Sequence, residues 1–372
     1  MDFDFSDDQV ALRDAVQKWV EKGYGFERRR AIVAAGGFDR AAYGELAELG
    51  LTGLYVSEAH GGLGMGPVEG MVVLEELGQG IVLEPLAQTL LTSALLGAWA
   101  PAELQKDWLP RMASGQAVVV LAHQERGARY RLDACSATAT PSANGGWHLS
   151  GTKNLVPVAD QADAFVVPAQ ADGRLALFLV ERGARGVATT GHLTQDGSRA
   201  GDVVLKDAPA RLITTDGLAA LEHGADIGVA AACAEAVGAM DRTLAVTVEY
   251  MNTRKQFGVA IASFQALRHR VADMKMQLEL ARSMSYYASL KLNSPAPERR
   301  AAMARAKVQL GQSMRFVGQQ AVQLHGGIGV TDEYIVSHYF KRLTQLEMGF
   351  GDTLHHLGEV SARMQDTAGV FS

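Results

Sequence analysis

The chain has 372 residues, 48% of them apolar and 20% charged, which is enough for a large core and two or three structural units. Its 35 Lys and Arg against 41 Asp and Glu leave a net charge of −6 with no basic stripe, which argues against nucleic acid as a partner. Two cysteines, Cys135 and Cys233, offer neither a disulfide framework nor a cysteine metal cluster and fit a reduced, cytoplasmic protein.

Taken in order, Met1 to Asp8 is acidic and lacks the basic start and apolar stretch of a secretory leader. Ser6-Asp7-Asp8-Gln9 reads as a capping box opening a helix whose apolar face is Val10, Leu12, Val16, Trp19 and Val20. Arg28-Arg29-Arg30 reads as a solvated helix end. Another helix, near Arg40–Leu49, ends at Gly50. The glycine-rich run from Glu58 to Pro67 cannot hold a helix and serves either as a connection or as a pocket-lining loop. Helical pattern resumes over Val68–Leu77, Leu86–Ala98 and Ala102–Ala113. Ile81–Ala100 is apolar, but Glu84, Pro85 and Gln88 interrupt it and argue against a membrane span.

The texture changes near Gly115. Strand-like pieces follow at Ala117–Ala122, Trp147–Leu149, Ala164–Val167, Leu175–Val180 and Val203–Leu205. Turns at Asn144-Gly145-Gly146, Asp172-Gly173 and Asp196-Gly197 separate them, which predicts a small antiparallel barrel or sandwich ending near residue 210.

Long helices return after residue 215. Ile227, Ala230, Ala234, Val237, Leu244, Val248 and Met251 share one face. Leu267, Val271, Met274, Leu278, Ala281 and Ala288 share a second, and Met303, Ala306, Leu310, Val317, Ala321 and Leu324 a third. Pro295 and Pro297 divide the last two, and the whole predicts a helical bundle with methionines as core filler.

Two short stretches interrupt this regularity. Arg254-Lys255-Gln256-Phe257-Gly258, followed by Ile261 and Phe264-Gln265, places a guanidinium, an amide, aromatic rings and a helix-ending glycine on one turn. That set suits an anion and an attached ring, although its spacing alone also fits a helix C-cap with a surface Arg. Downstream, Gln323-Leu324-His325-Gly326-Gly327-Ile328-Gly329 runs a helix into a glycine turn that exposes backbone N–H groups.

The order helical domain, small β domain, long-helix bundle resembles the acyl-CoA dehydrogenase family over essentially the whole chain. Tyr250-x-x-x-Arg254-x-Gln256-Phe257-Gly258-x-x-Ile261-x-x-Phe264-Gln265 is similar to its flavin-contacting motif, and Gln323-x-x-Gly326-Gly327-x-Gly329 to its second. Met1-Asp2-Phe3 and Leu149-Ser150-Gly151-Thr152-Lys153 resemble the family's pattern as well. In detail the chain resembles a small-subunit branch, the pimeloyl-CoA dehydrogenase type. The cues are Leu121 to Arg126, Phe340-Lys341-Arg342-Leu343-Thr344, and Phe350-Gly351-Asp352 with His355-His356.

The resemblance implies a mainly α fold with a central β domain. Its parts are an N-terminal helical domain (1–116), a small antiparallel β barrel (117–210) and a C-terminal four-helix bundle (211–372). It implies FAD lying between subunits and an acyl-CoA substrate. The electron acceptor would be an electron-transfer flavoprotein, and the assembly either a homo-oligomeric dimer of dimers or a heteromer with a larger subunit. Arg254 would pair with the pyrophosphate of a neighbour's FAD, and Gln256 would add polar contacts. Phe257, Phe264 and Gln265 would pack around the cofactor, while Gln323, Gly326 and Gly327 would meet its ADP portion. The implied reaction is α,β-dehydrogenation: a carboxylate takes the α-proton and the β-hydrogen leaves as hydride.

Departures from the family bear on that chemistry. Phe350 stands where the family's base, a Glu before Gly, would fall, and Gly228 occupies the alternative position; neither accepts a proton. Glu347, Asp352 and Asp226 are the nearby carboxylates, and each also reads as an ordinary helix or capping residue. His123-Gln124-Glu125-Arg126-Gly127-Ala128-Arg129-Tyr130 replaces the family's Thr-Glu-Pro and Gly-Ser-Asp run, and Leu155-Val156-Pro157 its Trp-Ile-Thr. The half that would hold this subunit's own flavin ring is eroded, while the half reaching a neighbour's FAD survives. Three readings result: a base-less small subunit of a heteromer, a self-sufficient enzyme using Glu347 or Asp352, or a flavin oxidase or monooxygenase on the same fold. Arg126, Arg129 and Arg131 read as an exposed basic loop or as a receiver for a distal carboxylate or a CoA phosphate. His355-His356-x-x-Glu359 lacks a metal-site order.

Overall fold

The structure, a computed structural model, describes residues 5–142 and 145–367. Met1-Asp2-Phe3 and Asn144 of the expected turn lie outside the described residues. The chain forms two compact units. One holds the residues up to Arg28, Pro67–Val82 and the chain from Val229 onward; the other holds Arg29–Gly66 and Leu83–Gly228.

In the second unit, the greater part of helix α2 (Phe26–Ala34) and helices α3 (Arg40–Glu48), α5 (Leu86–Trp99) and α6 (Ala102–Ala113) accompany the barrel strands. The strands are β1 (Val119–Leu121), β2 (Thr138–Pro141), β3 (Trp147–Pro157), β4 (Ala164–Ala171), β5 (Arg174–Glu181), β6 (Val187–Leu193) and β7 (Arg199–Thr214). The hydrogen-bonded order β1-β4-β2-β3-β7-β5 closes through a β4–β5 pairing, with β6 added on β7. Alternate residues such as Val118 and Val120, Phe165 and Val167, and Phe178 and Val180 fill the interior, because strand side chains alternate between faces.

The expected barrel is therefore present, but β1–β4 and β2–β4 are parallel, so it is mixed rather than antiparallel throughout. Strand β2, only four residues, and strand β6, largely exposed, escaped the sequence reading because neither leaves an apolar run. The Arg28–Arg30 run is also corrected. Arg29 is 1% exposed, and its guanidinium donates to the Asp196 carbonyl, so this cation is a buried tie to the β6–β7 turn rather than a solvated end.

The first unit is helical: α1 (Asp7–Gly23), α4 (Pro67–Gln79), the greater part of α7 (Gly217–Thr253), α8 (Gln265–Lys291), α9 (Ala296–His325), α10 (Ile335–Met348) and α11 (Thr353–Thr367). The capping box forms as written, with Ser6 Oγ accepting from Gln9 N (3.2 Å) and Gln9 Oε1 from Ser6 N (3.1 Å). Pro295 is the N-cap of α9, where a missing N–H costs nothing. All six residues of the expected α9 face are buried, whereas Val248 on α7 is 38% exposed. Glycines let α4 and α7 touch. A Cβ at Gly238 would lie 1.7 Å from the Glu75 carbonyl oxygen, and one at Gly78 would lie 2.1 Å from that of Glu235. Among the described residues no helix is long and apolar enough to cross a membrane.

Candidate functional site

Beyond Thr253 the chain forms a small arm. Strands β8 (Lys255–Gln256) and β9 (Val259–Ala260) pair antiparallel, and the loop between them is Phe257-Gly258 with φ of +53° and +81°. Gly258 was expected to end a helix; it is instead the second turn residue of a hairpin whose loop needs two left-handed residues. Phenylalanine at such a position is strained, and this one is 92% exposed, so the conformation buries little of its ring within the described chain. Its ring meets Phe264, the N-cap residue of α8, edge-on at 6.1 Å. Arg254 is exposed, and among the described residues no hydrogen bond or ion pair engages its guanidinium. Gln256 and Gln265 are exposed too, the former donating to the Lys255 carbonyl (2.8 Å).

The second stretch lies in the same unit. Helix α9 ends at His325 and Gly326 turns the chain at φ +66°, ψ −142°, a region open to glycine alone. A Cβ at Gly326 or Gly327 would meet nothing within 4 Å, so the space over this turn is open, and Gln323 beside it is exposed. Tyr250, one helical turn before Arg254, donates its hydroxyl to the His325 carbonyl (3.2 Å), which brings both motifs to one end of the bundle.

The turn between α10 and α11, where a base was sought, is occupied. Glu347 is 8% exposed, and its Oε1 accepts from the Thr353 N–H (3.0 Å) and hydroxyl (2.5 Å). Asp352 Oδ1 accepts from the His355 N–H (2.8 Å), an N-cap for α11. Phe350 holds φ +56°, and its carbonyl accepts from His356 Nε2 (3.0 Å). Beneath lies Lys307, fully buried, donating to the carbonyls of Leu346, Glu347, Gly349 and Gly351 at 2.5–3.1 Å. Burial pulls its ammonium down to about 8, against the field of Cys233 and of Glu347 and Asp352. Burial likewise leaves His356 neutral, at about 3. Lys307 carried no sequence signal, since its partners are backbone atoms that any residue supplies. Gly228 is on α7 in the other unit, as is the buried Asp226.

In the barrel unit, a cavity of about 680 Å³ is lined by Glu125, Arg126, Cys135, Ser136, Asn154 and Asp202 among others. Glu125 forms a buried ion pair with Lys153 (2.6 Å) and accepts from Ser136 N (2.7 Å). Burial raises this carboxyl, but the Lys153 and Ser136 bonds outweigh it and hold it at about 2. Of the three arginines, Arg131 pairs with Asp133 (2.8 Å) and Arg129 lies over the Tyr130 ring, which leaves Arg126 at the cavity.

The family models for the acyl-CoA dehydrogenase N-terminal and C-terminal domains match residues 6–116 and 215–365. Acyl-CoA dehydrogenase IpdE2 of Mycobacterium tuberculosis is 30% identical over 90% of this chain and 91% of its own. The chain belongs to the acyl-CoA dehydrogenase family. It is also similar to acyl-CoA dehydrogenase FadE27 of the same organism, 29% identical over 89% of each chain. Among solved structures, the ChsE4-ChsE5 complex from M. tuberculosis superposes with a TM-score of 0.90 at 28% identity, over 98% of this chain and 99% of that one. A variant of the Tcur3481-Tcur3483 steroid ACAD gives 0.90 at 29%, with the same coverage. The family is one of FAD-dependent oxidoreductases acting on acyl-CoA thioesters.

The residues fit FAD unevenly. An exposed guanidinium without a partner among the described residues and an open glycine turn suit the phosphate and adenosine part of a cofactor approaching from outside. The barrel cavity instead exposes a side-chain-rich loop, with Arg129 left-handed at φ +52°, beside a carboxylate already committed to Lys153.

Proposed function

We propose that this chain is the smaller subunit of a heteromeric acyl-CoA dehydrogenase, completing FAD sites whose base belongs to a larger partner. One contrast carries the proposal. The arm with Arg254 and Phe257 points its chemistry outward, while Glu347 and Asp352 are consumed as caps around Phe350. The similarity to the ChsE4-ChsE5 complex supports it.

In this reading Arg254 holds the pyrophosphate, Gln256, Phe257, Phe264 and Gln265 line the cofactor, and Gln323, Gly326 and Gly327 receive the ADP portion. FAD, when bound, supplies the hydride acceptor for α,β-dehydrogenation of the acyl-CoA. This chain positions the cofactor, and the α-proton goes to a carboxylate of the partner. An electron-transfer flavoprotein reoxidises the assembly. The three-part division at 116 and 210 and the pimeloyl-CoA small-subunit type belong to the same proposal, with an acyl-CoA thioester as substrate. A self-sufficient homo-oligomer would need Glu347 or Asp352 to abandon its cap.

The test is to express the chain alone and with a larger acyl-CoA dehydrogenase subunit, then measure bound flavin and acyl-CoA-dependent dye reduction. Turnover only on co-expression, unchanged in Glu347→Gln and Asp352→Asn and abolished in Arg254→Ala, supports the proposal. Full flavin and turnover from the chain alone refutes it. Rapid peroxide formation at the expense of dye reduction identifies an oxidase.

A further inference from the structure

Three aromatic rings meet under the glycine turn. Tyr250 of α7 stacks on His325 (ring centroids 4.4 Å apart, planes at 27°), and Tyr334, the N-cap residue of α10, closes the group at 5.2 Å from His325 and 6.1 Å from Tyr250. Their backbones belong to three elements: the end of α7, the end of α9 and the start of α10. The polar atoms have defined roles. His325 Nδ1 faces the Ala321 carbonyl (2.8 Å), which makes that nitrogen the donor, while burial lowers the ring's pKa and so favours its neutral form. Nε2 is buried without a hydrogen-bond partner among the described residues, in keeping with a ring used for its faces. Tyr250 O–H binds the carbonyl of the very peptide that precedes Gly326.

The other end of Tyr250 leads to the arm. Its carbonyl accepts from the Arg254 N–H (2.8 Å), and the Arg254 carbonyl accepts from the Ile261 N–H (2.9 Å), which closes the hairpin base. One residue thus bonds through its side chain to the glycine turn and through its backbone to the arginine arm. The two stretches lie far apart in sequence, and each carries exposed groups, Arg254 on one and Gln323 with Gly326–Gly327 on the other.

We infer that Tyr250 is the positioning residue that fixes the spacing between Arg254 and the Gly326–Gly327 turn, with His325 and Tyr334 as its support. This rests on the proposed role of those two stretches in meeting FAD. Tyr250 itself touches no cofactor; it sets the distance over which a dinucleotide must be spanned, and a ligand bound at both ends loses affinity when that distance is no longer held.

The test uses the full chain in the native complex purified through a tag on it, with Tyr250→Phe, Tyr250→Leu and Arg254→Ala compared with wild type. Two quantities are read: FAD affinity by flavin fluorescence, and amide hydrogen exchange at Ile328 and Gly329 in FAD-free protein. Tyr250→Phe keeps the stack and loses one hydrogen bond, so about a fivefold loss of FAD affinity is expected, with faster exchange at the turn. Tyr250→Leu loses the stack as well, for about a further fivefold. Arg254→Ala is expected to lower FAD affinity and leave exchange at the turn unchanged. Wild-type exchange and FAD affinity in both Tyr250 variants would overturn the inference. If the wild-type complex binds no FAD, the proposed function fails, and the exchange comparison alone then decides whether Tyr250 holds the turn.

Discussion

Replacing Arg254 with Ala separates binding from folding more cleanly than any other change. The side chain is exposed and, among the described residues, makes no hydrogen bond or ion pair, so its removal is expected to move unfolding free energy by no more than about 0.5 kcal/mol. Against a diphosphate the same guanidinium forms charge-assisted bonds worth about 1.5–3 kcal/mol. FAD affinity is therefore expected to fall by about 10- to 150-fold. Arg254→Lys keeps the charge and loses the planar fork, so it should fall between the two. The salt dependence of binding should flatten in Arg254→Ala, because a screened attraction has been removed. Urea unfolding followed by circular dichroism gives the first quantity, and a flavin fluorescence titration in the assembled complex gives the second. A stability loss above about 1 kcal/mol with unchanged FAD affinity would mean that Arg254 is a structural residue, and the reading of the arm would be wrong.

Five further substitutions test other parts of the molecule. Phe257→Asn places a residue that tolerates left-handed backbone at a strained, exposed position, so it should raise stability by about 0.5 kcal/mol while weakening FAD binding; urea midpoints and the same titration check both. Glu125→Gln leaves the buried Lys153 ammonium without its anion and should cost about 3–5 kcal/mol at pH 7. Because the folded carboxyl is held down at about 2 from an ordinary 4.5, the wild-type advantage is complete above pH 4.5 and is lost as pH falls through 2; an advantage that does not shrink between pH 4.5 and pH 2 would contradict the pairing. Lys307→Met abandons four carbonyls of the α10–α11 turn and should cost about 3 kcal/mol or more, with proteolysis appearing first near residues 346–352. Gly238→Ala drives a methyl into the Glu75 carbonyl and should cost about 3 kcal/mol, whereas Gly97→Ala, with open space around it in α5, should be neutral or stabilising in the same denaturation assay.

What could be read from the sequence was local. The capping box at Ser6, the start of α9 at Pro295, the apolar face of α9 and the two glycine-bearing motifs each depend on residues a few positions apart, whose spacing is written in the chain. The family layout followed from the order of such pieces. The tertiary structure decided whatever depends on distant neighbours. Arg29 looks like part of a solvated basic run until the Asp196 carbonyl arrives beside it, and Gly258 looks like a helix cap until β9 folds back on β8. The parallel pairings of β4 arise from closing the barrel, which no strand encodes alone. Glu347 and Asp352 could have been bases by sequence; their bonds to Thr353 and His355 gave them another occupation. Lys307 and Tyr250 act on backbone carbonyls far along the chain, and a carbonyl has no residue identity, so no pattern of letters marks its partner.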